Sequence, residues 1–119
     1  MRVLHLFDWY VPSTLSWVSR LLVHLDRVEV EVAAPWIVQN VFYHDQFRHF
    51  FFPLQQAFFP RVCSEWSHPS SQRLFARSQR FLPLYRIWLE RQLRAAPPDL
   101  LHAHFGPTGC LYLPLAKKW

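Results

Sequence analysis

Three stretches of the chain carry a clear pattern of apolar and polar positions, and together they describe one kind of fold. Val3 to Phe7 (VLHLF) is apolar on both faces and ends at Asp8, as a central parallel strand does. After a loop from Asp8 to Pro12, Leu15, Val18, Leu22 and Leu25 recur at helical spacing, with Ser13 or Thr14 placed to cap the start. Val28, Val30 and Val32 then alternate with Arg27, Glu29 and Glu31, which predicts a half-exposed second strand. A strand, a helix and a strand of this length form a right-handed crossover unit, so the expected class is α/β with a parallel sheet.

The middle of the chain is less regular. From Ala33 to Ser71, Pro35, Pro53, Pro60 and Pro69 break up aromatic runs, and one short strand with one or two helical turns is expected. Gln72 to Ala95 has helical tendency, with Pro83 expected to kink or split it. Pro97 and Pro98 stop that helix, and Asp99 opens a last strand over Leu100 to Phe105, expected to be buried. Gly106, Pro107, Thr108 and Gly109 form a turn into a final apolar segment, Cys110 to Ala116.

Composition narrows this picture. With 119 residues, 51% hydrophobic and 18% charged, the chain is one domain at most and lies outside the disordered range. Thirteen Lys and Arg against eight Asp and Glu give a formal charge of +5, which favours anionic partners without choosing among them. Cys63 and Cys110 have no regular spacing, so a disulfide framework is not expected and a cytoplasmic setting is. Gly106 and Gly109 are the only glycines. Rossmann dinucleotide fingerprints and P-loops need glycines just after the first strand, so neither class fits and no cofactor is expected.

The chemistry concentrates in PDLLHAHFG, Pro98 to Gly106. Strand alternation puts His102 and His104 on one face and Leu101, Ala103 and Phe105 on the other. Ligands of open α/β sheets sit beyond the carboxyl ends of the strands, which makes His104 the expected ligand contact. His102, farther from that end, is expected mainly to pack against a neighbouring helix. The turn into the following helix offers free backbone N–H groups around Gly106 and Thr108, suited to phosphate or hydroxyl oxygens. Zinc is a candidate ligand because two histidines one residue apart can both ligate it and Cys110 lies close in sequence. It is set aside, because no acidic or cysteine partner follows at a customary spacing; no metal is expected.

PDLLHAHFGPTG followed by PLAKK resembles the corresponding strand, turn and helix of family 4 glycosyltransferases, particularly those that build bacterial surface polysaccharides. MRVLHLFDWYVPSTLSWV resembles the start of the same enzymes. The resemblance implies an incomplete N-terminal half of a GT-B fold, a Rossmann-like parallel sheet flanked by helices, with residues 1–119 forming the acceptor-side domain of a longer protein. A nucleotide-sugar donor would be held by a second domain absent from this chain, so the fragment alone is expected to be inactive. The whole protein would be a retaining transferase acting on a saccharide or lipid-linked acceptor. The resemblance makes His104 the contact to the transferred sugar, with His102 carried over less directly. It turns Asp8, Ser13, Thr14 and Ser16 into acceptor or phosphate contacts, although the family's usual glycine pair and acidic residue are missing from this loop.

Arginines at 73, 77, 80, 86, 91 and 94 stand among Phe75, Phe81, Leu84, Trp88 and Leu93, a composition suited to the inner, anionic face of a membrane. The alternative reading is a surface helix whose aromatic residues pack on the sheet while the arginines are solvated. No recognisable nucleic-acid module is present. The rival to an enzyme is a non-catalytic module that binds a glycan or a membrane surface.

Overall fold

Both faces of the first strand are covered, as its apolar character requires. The computed structural model describes residues 1–10, 16–37, 46–52 and 79–119. In chain order these residues form β1 (Arg2–Leu6), β2 (Trp9–Tyr10), α1 (Ser16–Val23), β3 (Glu29–Ala34), β4 (Trp36–Ile37) and β5 (Arg48–Phe51). A 3₁₀ turn (Gln79–Phe81), α2 (Leu82–Leu93), β6 (Leu100–Ala103) and α3 (Gly106–Ala116) complete them. The main sheet has four strands in the order β5-β3-β1-β6, all parallel, and β2 and β4 form a separate two-residue parallel ladder.

This order has a consequence for where a ligand can sit. Taken in chain sequence, the four strands run third, second, first, fourth, so the sheet grows one way from β1 to β5 and then reverses to add β6 beside β1. Right-handed crossovers in opposite directions put their helices on opposite faces. Val18 and Leu22 of α1 accordingly pack on one face with Phe7, Val30, Val32 and Ala34. Tyr85, Leu89 and Leu93 of α2 and Tyr112 and Leu115 of α3 pack on the other with Leu4, Leu6 and Ala33. The arrangement is a small α/β fold compatible with a Rossmann-like one.

The first strand lies within one residue of its expected bounds, and so does the start of the second. The second is not half-exposed, however: from Val30 to Ala34 every residue is buried. Glu31, polar by alternation, is fully buried because Arg2 Nε and Arg48 Nη1 each approach its carboxylate to 3.3 Å. Pro83 does not kink α2. It sits in the first helical turn, where a missing N–H costs nothing because those groups have no intrahelical acceptor.

The expectation of a buried last strand is also corrected. In the described sheet β6 is an edge strand paired only with β1, and Leu100 and His102 are exposed. Where one short strand was expected in the middle of the chain, the described residues hold two, β4 and β5. Residues 38–45 and 53–78, with the remaining expectations for that region and Cys63, lie outside the described residues; Cys110 is a free, exposed thiol. No described helix is long and apolar enough to cross a membrane.

Candidate functional site

Register brings three imidazoles together. His5 of β1 lies directly opposite His102 of β6, and the pairing continues one residue past the strand, where the backbone N–H of His104 donates to the Leu6 carbonyl at 3.0 Å. His5 Nδ1 and His104 Nε2 are 3.0 Å apart, a hydrogen bond in which one ring donates and the other accepts. Ring centroids of His102 and His104 are 4.5 Å apart, and those of His5 and His102 are 5.1 Å apart. Phe7 lies nearly flat on His104, with centroids 4.2 Å apart and planes within 8°.

Burial divides the three unequally. His5 and His104 are 2% and 7% exposed, whereas His102 faces solvent on the edge strand. His102 was expected to be the packing residue, yet the edge position leaves it open and His104 is the one enclosed. Desolvation, with the charge of His102 behind it, lowers the His5 pKa from 6.5 to about 4. Desolvation, then His102 and His5, lower that of His104 to about 4. Both rings are therefore neutral near pH 7, each with one N–H and one lone pair, and too weakly basic to serve as proton acceptors there. Among the described residues, His5 Nε2 is buried without a hydrogen-bond partner.

A second polar group stands at the same end of the sheet. Asp8, two residues past β1, bonds the side chain of buried Thr108 in the first turn of α3. Its Oδ1 is buried without a hydrogen-bond partner among the described residues, and burial raises its pKa. Tyr112, one turn further along α3, donates its hydroxyl to the Phe7 carbonyl at 3.2 Å, and burial followed by the Asp8 charge pushes its pKa up. Among the described residues no side chain caps the start of α3. The sharp entry into this helix is made by Phe105, at φ 76° and ψ 150°, and not by a glycine; Gly106 and Gly109 both have negative φ. That backbone conformation costs a non-glycine residue about 1–3 kcal/mol, a kind of strain that gathers at ligand sites.

Of the residues named from sequence, Asp8, His102, His104, Gly106 and Thr108 all flank the carboxyl ends of β1 and β6. Gly106 is the exposed first residue of α3. Ser16 is the first residue of α1, and Ser13 and Thr14 lie outside the described residues. The residue sequence reasoning missed is His5. A polar residue inside an otherwise apolar strand, VLHLF, was the available signal, but only the strand order reveals its partner.

No protein-family model, curated protein or solved structure matches this chain.

Proposed function

We propose that this chain is the acceptor-side domain of a nucleotide-sugar-dependent, retaining glycosyltransferase of the GT-B type. The observation that carries the reading is the position of His104. It stands where strand order reverses between β1 and β6, the crevice in which open parallel sheets bind their ligands. It also stands inside the segment PDLLHAHFGPTG that resembles the family.

The chemistry of the crevice suits a saccharide. Sugar hydroxyls both donate and accept, and the crevice offers both functions. Neutral imidazoles have an N–H and a lone pair, and the buried Asp8 Oδ1 is an acceptor with no hydrogen-bond partner among the described residues. His104 would orient the transferred sugar and stabilise charge that develops on it, without attacking or deprotonating it. The donor's diphosphate would be bound by groups of a second domain.

A lipid-linked acceptor, rather than a free saccharide, is favoured by one surface. Arg80, Leu84, Ile87, Arg91 and Arg94 are all exposed and follow one another at intervals of three and four along α2 and the turn before it. Cations at both ends of a short apolar stripe fit an anionic membrane surface.

The test is label transfer from a panel of nucleotide sugars to saccharide and lipid extracts, by the protein expressed from its own locus. His104→Ala should lower turnover by about 10²–10³, the usual cost of removing one group that stabilises developing charge. Absence of transfer from every donor would leave a binding module in place of an enzyme, and turnover unchanged by the substitution would remove His104 from the site.

A further inference from the structure

We infer that His5, His102 and His104 form a binding site for a divalent transition-metal ion of the zinc type. The inference does not depend on the glycosyltransferase reading, since it concerns only what three converging imidazoles can hold.

Each of the three residues offers one ring nitrogen, and these nitrogens all lie within 4.8 Å of one another. Tetrahedral zinc with Zn–N bonds of 2.0–2.1 Å sets its ligand nitrogens about 3.4 Å apart. The His5 and His104 nitrogens, at 3.0 Å, are already near that separation. They need only move apart by a few tenths of an ångström; the ring that donates shifts its proton to its other nitrogen, and the hydrogen bond is exchanged for two metal bonds. His102 is the ligand with distance left to close. It is exposed on an edge strand, so its side chain is free to turn inward.

The surroundings hold the cluster in place. Backbone pairing of β1 with β6 fixes His5 opposite His102, and Phe7 stacked on His104 sets the plane of that ring. An all-imidazole donor set selects zinc, copper, nickel or cobalt over magnesium or calcium, which need oxygen ligands. Three protein ligands leave a fourth position open. With His5 and His104 buried, that position faces the side of exposed His102, where water or a hydroxyl oxygen can complete the coordination. Sequence spacing did not suggest this site because its third ligand is 97 residues from His102, across the sheet.

Untagged protein, stripped with chelator, should bind Zn²⁺ with one ion per chain in calorimetry. Co²⁺ added in its place should give the intense visible bands of a tetrahedral site. His102→Ala, at an exposed position that leaves the core intact, should weaken binding by more than about tenfold, the loss that follows even from removing a partner of a ligand. His104→Ala should abolish the cobalt bands. His24→Ala, at an exposed histidine on the turn after α1, should change nothing. Absence of stoichiometric binding, or equal affinity in wild type and His102→Ala, would overturn the site. Because the readout is metal binding, its failure leaves the transfer reading untouched, and failed transfer leaves the metal site untouched.

Discussion

At the scale of single residues, the buried histidines make folding depend on pH. His5 and His104 have folded-state pKa values near 4 against 6.5 when unfolded, so between these values the unfolded chain binds more protons. Stability therefore rises with pH across that window and is lost as pH falls from about 6.5 towards 4. One pKa unit corresponds to about 1.4 kcal/mol, so each ring can withdraw on the order of 3 kcal/mol at the acid end. Urea denaturation of metal-free protein at pH 4.5 and pH 7.5 should give a markedly lower midpoint at the acid pH. The double variant His5→Gln, His104→Gln should flatten the difference; a wild-type midpoint equal at both values would show that the rings are not buried as described. Glu31 teaches a related lesson. Its alternation with Val30 and Val32 reads as outward-facing, and only the approach of Arg2 and Arg48 from other strands makes its burial affordable. Sequence patterns record polarity but not the partners that neutralise it.

At the scale of elements, patterns with their own period were the readable ones. The first strand, the helix after it and the last strand came out close to their expected bounds, because hydrophobic period and proline punctuation are local signals. The final helix instead starts at Gly106 and takes in Gly106 to Gly109, which were expected as a turn before it. What a residue faces depends on neighbours that no local window contains. β6 and the residue after it carry the expected histidines, but the edge position leaves His102 exposed while His104 is buried, the reverse of what was expected. The entry to α3 is similar: Gly106 looked like the turn residue, whereas Phe105 adopts the positive φ. The stripe on α2 yields a prediction at this scale. Arg80, Arg91 and Arg94 flank exposed Leu84 and Ile87, so the protein should bind vesicles rich in anionic lipid. Each arginine near the surface contributes about 1 kcal/mol, and replacing all three by Gln should remove most of the binding. Sedimentation with anionic and zwitterionic vesicles, at low and high salt, is the check. Indifference to lipid charge would mean that the stripe is simply a solvated helix face.

At the scale of the whole molecule, strand order turns scattered residues into a site. Reversal between β1 and β6 gathers His5 and Asp8 from one end of the chain with His102, His104 and Thr108 from the other. Four of these five, Asp8, His102, His104 and Thr108, were named from the sequence, because they lie in or beside local strand-end motifs. His5 was not, because parallel register between residues almost a hundred positions apart leaves no periodic trace. The central claim is that the crevice at this reversal binds a saccharide through His104, and amide NMR of the ¹⁵N-labelled chain tests it most directly. Titration with mono- and disaccharides and nucleotide sugars should shift the amides of Phe7, Asp8, His104 and Thr108 together, with saturation, and His104→Ala should abolish the response. Shifts confined to other parts of the sheet, or a titration unaltered by the substitution, would contradict it.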